Sequence, residues 1–229
     1  MDRLQQQLHN INNKDKNASQ NALALIDSIV VTAVNKNAIA AAEDYKKAIL
    51  AKSLNISFAK VVYPNKNNRA FLRYKNIDSI TISFYKLPHK FNSNFEHTYR
   101  RNTYFLDSIV NTLVTKNNRI NQQVVKLPIS DDYFEHSTEF LLDNLAIGNY
   151  LICVESANNI GTDKKAFAYE RLHVTDMFVI EEGIENQDLL YAYNRKTGAP
   201  MPNVVFKSEG DFTRSDNNGK TVFSPQKRI

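Results

Sequence analysis

The hydrophobic period of this sequence changes near residue 55, and that change limits the folds available to it. Before this point, apolar residues recur at the spacing of one helical face, as with Leu23, Ile26 and Val30. After it, short β-branched and aromatic runs alternate with polar residues and are separated by Pro or Asn clusters. Helices that come first and strands that follow argue against a parallel α/β sheet, in which the two would alternate.

An N-terminal helical hairpin is predicted within residues 1–55. One helix covers 19–35, and a second begins near Asn37, its predicted N-cap, and ends near Leu54. The short link between them makes an αα-hairpin, and no further copies of it indicate a helical repeat. Residues 1–18 are polar and rich in Asn and Gln, and we expect them to fray, although their few apolar residues have helical spacing.

The next part of the chain, residues 56–175, predicts an immunoglobulin-like β-sandwich, because about seven short strands with turn signals between them are typical of that fold. Its run Ile80–Tyr85 alternates as a half-buried strand does. Residues 95–118 predict a helical insertion in this domain. The predicted strands are 56–63, 69–74, 77–86, 120–127, 136–142, 148–155 and 165–174.

Residues 176–229 predict the start of a second β-domain. Strands are expected at Met177–Ile180, Asp188–Tyr193, Val204–Phe206 and Lys220–Phe223, with turns that use Gly198 and Gly219. A seven-stranded domain needs about 100 residues, and this segment is shorter. We therefore expect a fragment, or a truncated gene product, whose second domain is incomplete and exposes a strand edge. The overall fold class is mainly β with an N-terminal α-helical hairpin.

Composition excludes several functions. The 229 residues carry 29 Lys and Arg against 24 Asp and Glu, a net charge of +5. These basic residues are scattered and accompany no nucleic-acid motif, so no nucleic-acid partner is predicted. No apolar run is long enough to span a membrane, and the N-terminus shows no secretory signal. The single cysteine forms no internal disulfide.

Residues that could carry chemistry do not form a recognisable site. His136 has Glu135 and Ser137 beside it, but neighbours along a strand point to opposite faces and do not make a hydrolase triad. Cys153 lies in an apolar run and is predicted to be a buried strand residue. The five histidines lack zinc spacing. The adjacent acids Asp131-Asp132 and Glu181-Glu182 do not oppose each other around a substrate.

Two further motifs are excluded. Asp216-Asn-Asn-Gly219 resembles part of a calcium loop, but Arg214 and Pro225 would occupy the first and twelfth ligand positions. Six glycines in the whole chain leave no Gly-rich phosphate loop. The sequence thus predicts no enzyme, with no catalytic, cofactor-binding or metal-binding residue and no cofactor.

The order of short motifs along the chain resembles the N-terminal part of bacterial alpha-2-macroglobulin-like proteins. Tyr193-Asn-Arg-Lys-Thr-Gly-Ala-Pro-Met-Pro-Asn-Val204 is similar to that family's strand–turn–strand, and Asp216-Asn-Asn-Gly219 is similar to the turn that follows it. The other matching segments are Val125–Pro128, Tyr133–Glu139, Leu145–Ile152, Ala166–Tyr169 and Val174–Asp176.

This resemblance implies a non-catalytic structural segment of a protein that traps or inhibits proteases at the cell envelope. The sandwich and the incomplete second domain would then be macroglobulin-like. The implied location is extracytoplasmic, in the periplasm or anchored to the outer membrane. The implied partners are other macroglobulin-like domains of the same protein, and proteases. The thioester of some members is not implied, because Cys153 is followed by Val154, Glu155 and Ser156 and the required Gln is missing.

Two alternatives remain open. The stretch from Arg195 to Lys220 also resembles carboxypeptidase-regulatory-like domains, which implies an extracellular carbohydrate- or protein-binding module of a cell-surface receptor. A hydrolase centred on His136 or Cys153 is the other alternative.

Overall fold

The computed structural model describes residues 2–12, 15, 17–87, 110, 112, 119–128, 130–156, 166–184, 187–208 and 211–223. The chain divides into two compact units. Unit 1 consists of Met1–Lys60, Asn67–Asp143 and Asn149–Leu172, and unit 2 of Val61–Lys66, Asn144–Gly148 and His173–Ile229.

Three helices open unit 1 among the described residues: α1 (Asp2–Asn12), α2 (Ala18–Thr32) and α3 (Lys36–Leu50). Helices α2 and α3 are the predicted hairpin. The expected fraying of the first residues is wrong, because α1 packs Leu4, which is 2% exposed, into a shared helical core. The cap of α3 is Asn35 rather than the predicted Asn37, since the Asn35 side chain accepts a hydrogen bond of 2.9 Å from the backbone N–H of Asn37.

A β-sandwich of two sheets follows in the same unit, as predicted. The first sheet has the order β1-β3-β6, with both neighbouring pairs antiparallel. The second has five strands in the order β2-β8-β7-β4-β5, in which β2 (Val61–Val62) is an outer strand. The strands are β1 (Ser53–Phe58), β3 (Asn68–Lys75), β4 (Ser79–Lys86), β5 (Arg119–Lys126), β6 (His136–Leu142), β7 (Gly148–Ser156) and β8 (Phe167–Val174).

The two central strands of the second sheet, β4 and β7, are buried on both faces. Ile80, Ile82 and Phe84 are fully buried on one face of β4, as the alternation predicts. Tyr85 on the other face is also buried, where it packs with Leu151, Cys153 and Val110. The predicted alternation therefore holds over Ser79–Ile82, where Ser79 and Thr81 are only partly buried, and is lost at Ser83, Phe84 and Tyr85, which are all buried.

The predicted helical insertion at 95–118 lies almost entirely outside the described residues. Val110 and Thr112, which are described, have helical conformation.

Unit 2 holds an antiparallel three-stranded sheet of order β13-β10-β9 and a separate hairpin, β11-β12. Strand β2 (Val61–Val62) also belongs to this unit, where it pairs in parallel with His173 and Val174. The predicted strands are all present, and β12 is an additional one. Their bounds are β9 (Met177–Ile184), β10 (Gln187–Asn194), β11 (Val205–Ser208), β12 (Asp211–Arg214) and β13 (Lys220–Phe223).

Candidate functional site

The imidazole of His136 has an acidic partner in unit 1. Its Nε2 lies 2.9 Å from Oδ1 of Asp132, which sits in the turn before β6 and also accepts a hydrogen bond of 2.9 Å from the backbone N–H of Phe134. Burial by itself raises the pKa of Asp132, but the hydrogen bonds from Phe134, His136 and Ser130 outweigh it and hold the pKa below its usual value.

A small pocket of about 160 Å³ lies beside this pair. The ring of Tyr74 is 6.0 Å from that of His136, and its hydroxyl donates a hydrogen bond of 3.1 Å to the carbonyl of Pro128. Burial raises the pKa of Tyr74, and the charge of Asp132 adds to that shift. The rest of the lining consists of Leu50, Asn76, Ile77, Asp78, Ser130, Asp131, Tyr133 and Phe134.

The partner of His136 is not one of the neighbours considered from the sequence. Ser137 pairs across the sheet with Arg73 of β3. As the next residue of the same strand, it projects to the face opposite that of His136. Asp132, four residues before His136, is the contact that sequence analysis missed. The sequence signal that could have revealed this contact is an acidic residue, Asp132, in the turn just before a strand that begins with His136. Within the described part of the chain, no hydroxyl or thiol is hydrogen-bonded to His136, so the pair orients an imidazole without a nucleophile.

Cys153 lies in β7 and is 3% exposed. Burial, with a smaller contribution from the charge of Glu155, raises its pKa to about 12. Because the thiolate is the reactive form of cysteine, this thiol is protonated and inert near neutral pH. The geometry is that of a packing residue between Tyr85 and Leu151.

In the turn Asp216-Asn-Asn-Gly219, the Asp216 carboxylate accepts hydrogen bonds from backbone N–H groups of the turn and the residue after it. Oδ1 of Asp216 accepts hydrogen bonds of 2.8 Å from the N–H of Asn218 and 2.9 Å from that of Lys220. The described residues include no group of three or more His, Cys, Asp or Glu placed to hold a metal ion. The Asp side chain therefore stabilises a tight turn.

Arg195 links several segments of unit 2 through its side chain and its backbone. It belongs to the motif that resembles the macroglobulin-like strand–turn–strand. Its guanidinium lies 4.5 Å from the centre of the Tyr63 ring and donates a hydrogen bond of 3.2 Å to the carbonyl of Thr175. The Tyr63 hydroxyl in turn donates to the Arg195 carbonyl at 3.0 Å. The motif thus joins β10 to the segments that contain Tyr63 and Thr175.

One face of the β13-β10-β9 sheet carries apolar side chains that are partly open to solvent. The cross-strand partners Phe178 and Tyr193 stack with ring centres 5.4 Å apart, and Tyr191 continues the row 6.4 Å from Tyr193. Phe178 is 38% exposed. We call this surface the aromatic face, and its residues are Phe178, Ile180, Leu189, Tyr191, Tyr193 and Val222, which alternate with residues of the opposite face.

The outer strand of the same sheet, β9, is exposed from Phe178 to Gly183. It is the end of the sheet order, and its described pairing partner is β10. Edge strands of this length with apolar side chains are prone to pair with further strands.

Comparisons with known proteins agree with this fold. No family model matches the sequence, and no curated protein matches it. Two solved structures of native alpha-2-macroglobulin from Escherichia coli are similar in fold at 12% sequence identity. The structure spanning domains NIE-MG1 has a TM-score of 0.51, with 76% of this chain and 88% of that chain covered. The structure spanning MG0-NIE-MG1 has a TM-score of 0.50, with 76% of this chain and 58% of that chain covered.

These matches show that the chain shares the fold of macroglobulin-type domains found in bacterial alpha-2-macroglobulin. The resemblance predicted from the sequence motifs is thereby confirmed at the level of the fold. Both solved segments come from the same Escherichia coli protein, and each spans more than one of its domains. No helix within the described residues is long and apolar enough to cross a membrane.

Proposed function

We propose that this chain is a non-catalytic structural segment of a bacterial alpha-2-macroglobulin-like protein that acts in protease trapping at the cell envelope. The observation that carries the proposal is the shared fold with the NIE-MG1 segment, at a TM-score of 0.51 over 76% of the chain. The role in trapping, and an extracytoplasmic location, come from the family resemblance of the sequence motifs. The partners we propose are neighbouring macroglobulin-like domains of the same protein, with proteases as the targets of the whole.

The environments of the potentially reactive side chains support a scaffolding role. His136 pairs with an acid but with no described nucleophile, and Cys153 is buried with its pKa at about 12. The Asp216 carboxylate is occupied by its own turn. We therefore propose that the chain contains no catalytic, cofactor-binding or metal-binding residue, and that its side chains serve hydrophobic packing and hydrogen bonding within β-sheets.

The domain organisation that accompanies this proposal has three parts. Residues 1–55 are a helical domain, residues 56–175 a macroglobulin-like sandwich, and residues 176–229 the start of a second macroglobulin-like domain. Support comes from the helical core around Ile26, from the seven sandwich strands, and from the separate sheet that begins at Met177.

The test is the complete reading frame together with protease protection. We expect further macroglobulin-like β-domains beyond residue 229, and we expect the complete protein to shield itself or a substrate from an added protease. A frame that instead continues into a receptor plug and barrel would replace the proposal with the carboxypeptidase-regulatory-like alternative.

The non-catalytic part is tested separately on the purified chain. Hydrolysis of a p-nitrophenyl ester and of a casein substrate should stay at background. Activity that is lost in both His136→Ala and His136→Gln, with the fold retained by circular dichroism, would establish a hydrolase instead.

A further inference from the structure

We propose that the cavity beside His136 in unit 1 binds a small organic cation, an ammonium group carried on a compact apolar body such as an aromatic ring. We call this cavity the His136 pocket. All of its described lining residues lie in unit 1, so unit 2 contributes none of them. Such a site goes beyond the scaffolding role and does not depend on it.

The His136 pocket has room for one small ring. Its volume is about 160 Å³, and an apolar protein cavity of about 150 Å³ holds benzene. Three segments form its walls: the end of α3 with Leu50, the turn between β3 and β4 with Ile77, and the loop from β5 to β6 with Phe134. A ligand of about eight non-hydrogen atoms would therefore fill it.

The walls of the pocket are held in place by contacts of their own. The Tyr74 hydroxyl donates a hydrogen bond of 3.1 Å to the Pro128 carbonyl, and the imidazole of His136 is fixed by its contact of 2.9 Å with Asp132. Tyr133 packs against the helical core. Because these side chains are already ordered, a ligand loses little affinity to ordering them.

Aromatic rings make up a large part of the lining. Tyr74, Tyr133 and Phe134 contribute three of them, and His136 contributes a fourth. The rings of Tyr74 and His136 have centres 6.0 Å apart and are inclined by 41° to each other. A cation within about 6 Å of the centre of a Tyr or Phe ring is attracted to its face, and a group bound in so small a cavity lies against these rings.

The charges around the pocket favour a cation. Its lining includes two acids, Asp78 and Asp131, and no described Lys or Arg. A third acid, Asp132, is paired with His136, and its charge adds to the effect of burial in raising the pKa of Tyr74, so it acts at the pocket wall. Opposite charges attract more strongly in a partly buried site than in water. An ammonium is therefore favoured, and a carboxylate is repelled.

The basic groups near the pocket do not cancel this charge. A protonated His136 would supply one positive charge against three carboxylates. Lys75, the residue after Tyr74, lies outside the lining, and its ammonium donates a hydrogen bond of 3.0 Å to the carbonyl of Ala48. Burial lowers the pKa of Lys75 and the charge of Glu135 opposes that shift, which places a further acid beside this ammonium.

The carboxylate of Asp131 would hold the ammonium group. Within the described residues it makes no hydrogen bond or ion pair, since the bond to Asp131 runs from the Gln20 side-chain amide to its carbonyl. The carboxylate of Asp78, by contrast, accepts a hydrogen bond of 2.8 Å from the Ser79 hydroxyl. Asp131 is exposed and Tyr74 is buried, so the ligand would place its ammonium at Asp131 and its apolar body against Tyr74.

The mixed character of the lining distinguishes this ligand from a metal ion. Metal ions such as Ca²⁺ need several oxygen ligands, and the described residues include no group of three or more side chains placed to hold one. Most lining residues are instead apolar or aromatic. An organic cation fits both parts, because its body contacts the apolar walls and its charge meets the acids.

The experiment titrates the full chain with three probes of similar size, which are benzylammonium, benzyl alcohol and benzoate. Binding is followed by NMR through the ring signals of Tyr74 and His136. Near neutral pH and at low salt, benzylammonium should bind at least about tenfold more tightly than benzyl alcohol, and benzoate should not bind. The preference for benzylammonium over benzyl alcohol should shrink as salt is added.

Three variants identify the groups responsible. Asp131→Asn should lower the affinity for benzylammonium at least about fivefold and leave that for benzyl alcohol unchanged, which also shows that the pocket is still folded. Phe134→Leu keeps an apolar side chain but removes a ring, and should reduce the preference for the ammonium. Glu43→Gln in α3 makes the same charge change outside the described lining and should alter neither affinity.

Equal affinity for benzylammonium and benzyl alcohol would make the pocket a merely apolar cavity and overturn the proposal. The same conclusion would follow from no binding of any probe, from signal changes confined to residues outside the lining, or from an equal loss of affinity in Glu43→Gln and Asp131→Asn. None of these results bears on the reading frame, so the protease-trapping role and this site can fail separately.

Discussion

The side-chain amide of Asn76 donates a hydrogen bond of 2.9 Å to the carbonyl of Ile49 in the last turn of α3, and a second of 2.9 Å to the carbonyl of Ala51. One side chain from the turn after β3 thereby satisfies two carbonyls that have no partner within the helix. Lys75 beside it donates to the carbonyl of Ala48 at 3.0 Å. The end of a strand in the sandwich thus caps the helical hairpin within the same unit.

Asn76 also has a positive φ of 55°, a conformation that Asn tolerates better than most residues. Asn76→Ala should destabilise the chain by about 2–3 kcal/mol, because it loses both hydrogen bonds and strains the backbone. Asn76→Gly relieves the strain and should therefore cost less. The difference between the unfolding free energies of the two variants, measured by urea denaturation, gives the contribution of backbone strain. Equal losses of stability in both would show that strain contributes nothing.

Gly219 ends the turn before β13 with a φ of 73°, and a Cβ there would collide with the carbonyl oxygen of Ala192. The collision involves backbone that is itself hydrogen-bonded, since Ala192 donates to the Gly219 carbonyl at 2.8 Å. We expect Gly219→Ala to destabilise unit 2 by more than about 2 kcal/mol.

Two other glycines provide matched controls for that measurement by thermal unfolding. Gly198 has a similar φ of 71° with open space around it, so Gly198→Ala should show the conformational cost alone, about 1 kcal/mol. Gly183 has neither constraint, and Gly183→Ala should be nearly neutral. A Gly219→Ala variant as stable as Gly198→Ala would contradict the predicted collision.

Asp132 links stability to pH. Its pKa is lowered in the folded chain, so its contribution is present above the unfolded value of about 4 and is lost as the pH falls through the folded pKa. Asp132→Asn should lower the melting temperature near neutral pH, and the gap from wild type should close as the medium is acidified. Asp131→Asn, one residue earlier, is the control, and an equal pH-dependent loss in it would remove Asp132 from this role.

The thiol of Cys153 should be unreactive in the native chain. Its burial and its pKa of about 12 keep it protonated and out of contact with solvent. Titration with a disulfide reagent at pH 8 should detect no thiol in the folded protein and one per chain in denaturant. Immediate labelling of the folded chain would show that the cluster around Tyr85 and Leu151 opens readily.

Local periodicity was sufficient to locate most secondary structure. Two patterns follow a geometric repeat of the backbone and can therefore be recognised in the sequence. They are the helical spacing of Leu23, Ile26 and Val30 and the strand alternation of Ile80, Ile82 and Phe84. Helix α1 was misjudged because its polar residues outweigh its apolar ones, and its stability depends on the insertion of Leu4 between two other helices. The N-cap of α3 was placed two residues too late because both Asn35 and Asn37 are suitable N-cap residues by type.

The sequence by itself determined the order of helices and strands, the turns at Gly198 and Gly219, and the absence of a recognisable catalytic motif, because these follow from residue spacing and backbone preference. Only the tertiary structure decided that Val110 packs in one cluster with Tyr85 of β4, that Asp132 orients His136, and that Asn76 caps α3. It also placed Phe178 beside Tyr193 at an exposed edge. The physical reason is that such contacts join residues through sheet register and packing, and neither is encoded in any single stretch of the chain.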